Sequence, residues 1–268
     1  MVERILITGA AGGVGTLMRP RLARPGRVLR LLDLHPLPEP GPGERVELVT
    51  GSLTDPVTMA AACRDVDAII HLGGISREDA WDRVLAANID GTHTVLAAAC
   101  EAGISRVVLA SSNHAAGFRE FDTGDPEGIA GESFPRPDTY YGVSKAAVEA
   151  LGSLYHSRFG MDVLCLRIGS CFERPADLRG LSMWLSPDDG ARLFEACLAA
   201  ERPGFQVLWA VSDNTRRVVS LRAAEALGYR SRDDAERYAG EIDTDPALAP
   251  KYIGGAFCET PLGKPNPL

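Results

Sequence analysis

The N-terminal pattern of the chain constrains its fold most. The apolar run ERILITG, residues 3–9, predicts a short buried strand, and GVGTLMRPRLA, residues 13–23, continues with helical spacing. Between them, TGAAGGVG places Gly9, Gly12 and Gly15 three residues apart. A glycine turn between a strand and a helix lets a phosphate group approach the free N–H groups at the helix start. We therefore predict a βα unit with a pyrophosphate site.

Further apolar runs alternate with helical stretches along the chain. They are RVLRLLDL (27–34), ERVELVTGSL (44–53), VDAIIHLGG (66–74), RVVLASS (106–112) and DVLCLRIGS (162–170). Helices are predicted over roughly 80–102 and over 138–159, where Gly160 ends the pattern. Strands rich in Val, Ile and Leu that alternate with helices are typical of parallel sheets with right-handed crossovers. The prediction is an α/β fold, a Rossmann-type doubly wound parallel sheet with a small C-terminal substrate-binding part.

The alternation loosens after residue 170. LSPDDGARLFEACLAAE, residues 185–201, predicts a helix with Ser186 as N-cap and Pro187 at the first position, and FQVLWAVS adds a strand. The remainder has short helices and a proline-rich tail. We expect residues 1–170 to form the NAD-binding Rossmann core and 171–268 a small substrate-binding region interleaved with it, in a single compact unit.

Composition excludes several classes of partner. The net charge is −8 and no lysine or arginine cluster exceeds a few residues, so we expect no nucleic acid partner. The chain enters a strand at once, without the pattern of a signal peptide, and no apolar run reaches the roughly 18 residues of a membrane helix. The six cysteines are scattered without metal-ligand spacing, which predicts reduced thiols and no metal site. We expect a cytoplasmic protein.

Asp33 ends the second predicted strand. A carboxylate at this position can hydrogen-bond both ribose hydroxyls of an adenosine and would repel a 2′-phosphate. The sequence therefore predicts NAD as the cofactor and disfavours NADP.

Tyr141 and Lys145, in YYGVSK, lie four residues apart on a predicted helix and so share one face. Tyrosine is a poor base at its free pKa of about 10. A nearby ammonium favours the phenolate, so the pair is suited to take a proton from an alcohol. Together with the nucleotide turn, this spacing predicts a dehydrogenase.

The chain resembles the extended short-chain dehydrogenases/reductases in six features that follow the same order. They are the glycine turn, Asp33, HLGG at 71–74, Asn88 in NIDGT, the serine-rich strand end and the Tyr-x-x-x-Lys spacing. The resemblance implies that Ser112 orients the reacting oxygen, that Tyr141 is the acid/base and that Lys145 lowers the pKa of Tyr141 and holds the ribose. It also implies a set of NAD contacts, namely Gly9, Gly12, Val14, Gly15, Asp33, Ser52, Leu53, Leu72, Gly73, Gly74, Asn88, Tyr141, Lys145 and Ile168.

One position departs from that pattern. Extended members usually carry an aspartate after the third strand, where it meets the adenine amine, whereas this chain has Ser52 beside Leu53. A serine accepts a hydrogen bond but brings no charge, so we expect lower cofactor affinity with fold and chemistry unchanged.

A narrower resemblance covers almost the whole chain. GGIS, SSNHAAG, YGVSK, RIGSC, LSMWLSPDD and GGAF are similar to segments of the uronate dehydrogenases. This implies NAD-dependent oxidation of D-glucuronate or D-galacturonate at C1 to the aldarolactone, with Arg179 on the carboxylate and Phe257 as an aromatic wall. The implied substrate contacts are Ser76, Ser112, Asn113, His114, Tyr141, Ser170, Arg179 and Phe257. The predicted helices at 80–102 and 138–159 are those that pair in many relatives, so we expect a homo-oligomer.

Other functions stay open. A nucleotide-sugar epimerase or dehydratase would need a longer C-terminal part, and only about 100 residues follow the sixth predicted strand. A dehydrogenase for another sugar or a steroid-like alcohol would have no use for Arg179. A dinucleotide-binding protein without turnover would usually lack Tyr141 or Lys145, and both are present.

Overall fold

The computed structural model describes residues 2–121, 124–125, 127–245 and 248–265. Its strands are β1 (Glu3–Thr8), β2 (Arg27–Asp33), β3 (Val46–Thr50), β4 (Ala68–His71), β5 (Arg106–Ser112), β6 (Asp162–Ile168), β7 (Ser170–Cys171), β8 (Trp184–Leu185) and β9 (Phe205–Ala210). Seven of them form one sheet in the order β3-β2-β1-β4-β5-β6-β9, and each neighbouring pair is parallel. The predicted parallel sheet is confirmed.

The helices are α1 (Gly13–Leu22), α2 (Pro56–Ala62), α3 (Trp81–Val84), α4 (Gly91–Glu101), α5 (Tyr140–Phe159), α6 (Gly180–Met183), α7 (Pro187–Ala199) and α8 (Arg222–Ala226). Local sequence explains the ends of the two longest. The Thr139 hydroxyl accepts from the Gly142 N–H at the start of α5, and Gly160, with φ +70°, ends it. Ser186 caps α7, as predicted, and Pro187 takes the first helical position.

Apolar layers cover both faces of the sheet. Alternating side chains of β1 point to opposite sides, so Ile5 packs in the cluster with Met18 and Phe194 of α1 and α7. Leu6 packs in the other cluster, with Leu96 of α4 and further residues of α5. The predicted doubly wound Rossmann-type arrangement is therefore confirmed.

The helical stretch predicted over 80–102 is present but not uniform. A π-helical segment, Leu85–Asp90, joins α3 to α4 and contains the buried Asn88. Such segments are rare and are concentrated at functional sites. The sequence pattern gives no sign of it, since the same apolar spacing suits an uninterrupted helix.

The C-terminal part of the chain joins the sheet and covers its carboxyl edge. β9 pairs with β6, while isolated bridges join Ile129 to Val219 and Glu120 to Tyr252. All six cysteines are free. In the described parts of the chain, no helix has the length and apolar character that crossing a membrane requires.

Candidate active site

A cleft of about 500 Å³ opens at the carboxyl ends of β1, β2, β4 and β5, where the strand order reverses between β1 and β4. Ligands of open parallel sheets bind at such a point. Thirteen of the fourteen residues predicted to contact the cofactor line it: Gly9, Gly12, Val14, Gly15, Asp33, Ser52, Leu53, Leu72, Gly73, Gly74, Tyr141, Lys145 and Ile168. The structure thus brings together residues from six separate segments.

The glycine turn is shaped for a phosphate ligand. Gly9 has φ +69°, and a Cβ there would lie 2.6 Å from the Gly73 Cα. A Cβ on Gly15 would lie 2.6 Å from the Gly9 carbonyl oxygen. Gly12 is the N-cap of α1 and no side chain caps that helix, so the first N–H groups remain available to an anion. These residues fit the pyrophosphate of a dinucleotide.

Asp33 is held rigidly on the wall of this cleft. Its Oδ2 accepts from the Ala11 N–H at 2.9 Å, and its Oδ1 accepts from the His35 N–H at 2.9 Å. Each carboxylate oxygen keeps further acceptor capacity for a ribose hydroxyl. Ser52 lies beside it with its Oγ 2.7 Å from the Thr54 hydroxyl. The wall therefore fits an unphosphorylated adenosine ribose.

Replacing Asp33 with asparagine is expected to weaken NAD binding roughly 10-fold or more, because a charged acceptor is lost. The preference for NAD over NADP is expected to become smaller. Titration of both cofactors by isothermal calorimetry measures the ratio of their dissociation constants. Asp67→Asn is the matched control, since Asp67 also accepts a backbone N–H, from Arg4, but lies outside the cleft. An unchanged ratio in Asp33→Asn would show that Asp33 does not select the cofactor.

Ser112, Tyr141 and Lys145 line the same cleft and are all buried. The Lys145 Nζ donates to the Ala110 carbonyl at 2.7 Å and lies 5.6 Å from the centre of the Tyr141 ring. Burial raises the pKa of Tyr141 to about 12, while a hydrogen bond with Ser112 opposes this rise. Burial also lowers the pKa of Lys145 to about 8. Desolvation therefore dominates both groups, and any lowering of the Tyr141 pKa needs additional positive charge in the cleft.

Asn88, the fourteenth residue, lies behind the cleft wall. Its amide donates to the Ile75 carbonyl and to the Ser144 hydroxyl, and its Oδ1 accepts from the Ile75 N–H at 2.7 Å. It therefore joins the loop after β4 to α5 directly beside Lys145. In this structure its side chain supports the cofactor cleft from behind.

A second group of predicted residues meets Tyr141 from the other side. The His114 ring stacks on Phe257 with centroids 3.9 Å apart and packs edge-on against Tyr141 at 5.6 Å. Its Nδ1 lies 2.6 Å from the Asp138 carboxylate. Burial lowers the pKa of His114, although Asp138 opposes this. A neutral ring that donates from Nδ1 to Asp138 keeps Nε2 as a hydrogen-bond acceptor.

Arg179 and Ser170 complete this group. The Arg179 Nη1 donates to the Ser170 hydroxyl at 3.0 Å, and its Nε donates to the Ile253 carbonyl at 2.6 Å. Its Nη2 and both amide atoms of Asn113 are buried and lack a hydrogen-bond partner within the described residues. Buried polar groups are normally paired, so these three atoms are free to bind a polar ligand.

The acidic residues behind the site were not predicted from the sequence. Asp138 holds His114, and Glu149 of α5 accepts from the Ser111 hydroxyl at 2.6 Å and from two nitrogens of Arg167 at 2.8 Å. This buried network fixes the end of β5, where Ser112 lies, against α5. Glu149 lies within an otherwise apolar stretch of α5, which was the available signal, whereas Asp138 precedes the helix in an irregular segment that gave none.

Comparisons with known proteins show which family the chain belongs to. The model described as "NAD dependent epimerase/dehydratase family" matches residues 5–173. Uronate dehydrogenase of Pseudomonas putida is 40% identical over 95% of this chain and 95% of its own, and NAD-dependent glucose-6-phosphate dehydrogenase of Haloferax volcanii is 36% identical over 90% and 97%. A solved structure of uronate dehydrogenase from Agrobacterium tumefaciens, a tyrosine-to-alanine mutant complexed with NAD, has a TM-score of 0.90 and 37% identity over 98% of this chain and 99% of that one. The chain therefore belongs to the NAD dependent epimerase/dehydratase family and, within it, to the uronate dehydrogenase group.

Proposed function

We propose that this NAD-dependent oxidoreductase oxidises a hexuronate, D-glucuronate or D-galacturonate, at C1 to the aldarolactone. The observation that carries the proposal is the buried guanidinium of Arg179, whose Nη2 has no partner in the described chain. The Arg179 Nε donates to the Ile253 carbonyl, and Phe257 of the same segment stacks on the His114 ring that packs against Tyr141, which supports a cation near the Tyr141 cluster. A carboxylate matches a guanidinium in charge and in two-point geometry.

Tyr141 is the proposed general base. Its phenolate would take the proton of the C1 hydroxyl, while the Ser112 hydroxyl would bind the same oxygen. NAD, when bound, accepts the hydride and in its oxidised form carries positive charge. Because burial raises the pKa of Tyr141 to about 12, the Lys145 ammonium and the positive charge of oxidised NAD would together favour the phenolate.

The remaining polar atoms suit the hydroxyls of a sugar ring. The Asn113 amide offers donors and an acceptor, Ser170 offers a hydroxyl, and His114 offers an acceptor at Nε2. Ser76 lies in the cleft on the side of the loop after β4. Polyols are recognised by such convergent polar groups on an otherwise apolar wall, which here includes Phe257.

A sugar phosphate is the second candidate substrate. A phosphate also binds a guanidinium in two-point fashion, and the relative from Haloferax volcanii is named for glucose 6-phosphate. The wider alternative is that this enzyme is a family member that acts on a different sugar or on a nucleotide sugar. Arg179 favours an acidic substrate over a neutral one.

NADH formation across a panel of sugars tests these proposals. The panel holds D-glucuronate, D-galacturonate, glucose 6-phosphate, D-glucose, L-arabinose and a nucleotide sugar, each with NAD. We expect NADH from at least one uronate, at a kcat/KM roughly 100-fold or more above that of the matching neutral sugar, because a buried cation would otherwise stay unpaired. Absence of NADH with both uronates, together with turnover of a neutral sugar, would reject the proposal.

Assembly and location stay predictions. The exposed apolar side chains Val143, Leu154 and Phe159 on α5 are available for helix pairing between copies, which supports the expected homo-oligomer. We also expect the protein in the cytoplasm.

A further inference from the structure

Glu78, in the loop between β4 and α3, is fully buried and joins two distant backbone segments. Its Oε2 accepts from the Tyr141 N–H at 2.9 Å, and its Oε1 accepts from the Gly263 N–H at 2.8 Å. Tyr141 is the second residue of α5, so its N–H is one of the four that the helix leaves unpaired. A carboxylate there also meets the positive end of the helix dipole.

The second partner lies at the end of what we call the C-terminal strap, residues 251–263. The strap begins against the segment that follows Ser112: the Gly254 N–H donates to the Gly117 carbonyl and the Ile253 N–H donates to the Arg119 carbonyl, both at 2.9 Å. At its far end Gly263 has φ +74°, a left-handed conformation that favours glycine.

Between these ends the strap covers the sugar side of the candidate active site. Phe257 stacks on His114, and the Ile253 carbonyl accepts from the Arg179 Nε. A Cβ on Gly255 would lie 2.8 Å from the Arg179 Cδ, so backbone and guanidinium stem are in close contact. The position of the strap therefore fixes the aromatic wall and the cation that would bind substrate.

We propose that Glu78 is a positioning residue that latches the C-terminal strap over the substrate pocket and, with the same carboxylate, fixes the helical turn that carries Tyr141. The roles of the pocket residues rest on the proposed function, whereas the latch itself rests on the two hydrogen bonds. Each carboxylate oxygen of Glu78 accepts a hydrogen bond from one of the two segments. Loss of the Gly263 bond frees the strap and weakens sugar binding, and loss of the Tyr141 bond shifts the base and lowers kcat.

Two shortened chains test the hydrogen bond between Glu78 and Gly263 by itself. A chain that stops after Leu262 lacks Gly263, while a matched control that stops after Pro265 keeps it. We expect the shorter chain to have a KM for the sugar raised roughly 10-fold, the loss typical of one charge-assisted hydrogen bond, with the dissociation constant of NAD unchanged. The control should keep the full-length KM. Equal KM values for the two chains would overturn the proposal.

Glu78→Gln tests the carboxylate itself. Glutamine keeps one acceptor oxygen and places an NH₂ group toward the other N–H, so one of the two bonds fails. If Glu78 and Gly263 act together, combining Glu78→Gln with the stop after Leu262 raises KM less than the product of the two single effects. In a Glu78→Gln variant that itself raises KM, independent, multiplicative effects would show that the strap is held without Glu78.

A measurement without substrate separates the latch from the proposed function. Hydrogen exchange is measured on the unchanged protein, on Glu78→Gln and on the two shortened chains. We expect faster exchange at the Phe257 and Thr260 amides in Glu78→Gln and after the Leu262 stop, but not after the Pro265 stop. These two amides are bonded inside the strap, to Gly254 and Phe257. Unchanged exchange after the Leu262 stop overturns the latch whichever sugar reacts. Faster exchange without uronate turnover would reject the proposed function alone.

Discussion

Replacing Tyr141 with phenylalanine is expected to abolish NADH production while NAD still binds with unchanged affinity. Phenylalanine keeps the ring that packs against His114 and Phe257 but removes the phenol oxygen that, as the phenolate, would take the proton. General-base catalysis contributes about 10²- to 10⁴-fold, so we expect kcat to fall by roughly 10³-fold or more. Steady-state kinetics with the reactive uronate gives kcat, and titration of NAD by quenching of protein fluorescence gives its affinity.

The neighbouring tyrosine supplies the control. Tyr140 precedes Tyr141 on α5, and its ring packs edge-on against Trp81 at 5.3 Å, outside the cleft. Tyr140→Phe removes the same atom from the same helical turn and is expected to keep kcat within about 2-fold, as for substitutions away from a functional site. Turnover retained in Tyr141→Phe would show that Tyr141 is not the base.

Replacing Arg179 with alanine is expected to raise KM for a uronate roughly 100-fold or more while changing the affinity for NAD little. The reason is that a carboxylate brought into a buried pocket without its cation stays unpaired. The same variant should change the kinetics of a neutral sugar far less. The ratio of kcat/KM for D-glucuronate to that for D-glucose measures this difference and cancels any general loss of folded protein.

Arg174 provides the comparison for Arg179. It lies in the same loop, but it is exposed and pairs with the exposed Glu241. Arg174→Ala removes a cation that we expect to contribute little, since exposed ion pairs are worth about 0–1 kcal/mol. If Arg179→Ala leaves the uronate KM unchanged, the carboxylate binds elsewhere and the acidic substrate loses its main structural support.

Local sequence brought most of the predicted residues into one cleft because the determinants of their positions are local. Gly9, Gly12 and Gly15 act through the turn that joins β1 to α1, and Asp33 acts from the end of the adjacent strand. The helical spacing of Tyr141 and Lys145 alone puts both on one face. Once a parallel sheet is predicted, strand ends are known to share one edge, so these residues meet without further information.

The supporting residues could not be predicted in this way. Asn88 lies in a π-helical segment and holds the loop at Ile75 together with Ser144, a pairing that depends on the packing of two helices. Glu78 and Asp138 are charged residues in irregular segments, where sequence patterns favour solvent exposure. Their burial follows from contacts with residues far along the chain.

The parallel sheet, the dinucleotide turn and the Tyr141–Lys145 pair follow from the amino-acid sequence, because periodicity and short spacings encode them within single elements or neighbouring strands. The approach of Arg179 and Phe257 to Tyr141 is visible only in the folded chain. That arrangement depends on the strap 251–263 returning to the segment after β5, a pairing between regions more than 100 residues apart. Hydrogen bonds and buried charges between residues so far apart in the sequence depend on tertiary packing. Local sequence patterns carry no information about such pairs.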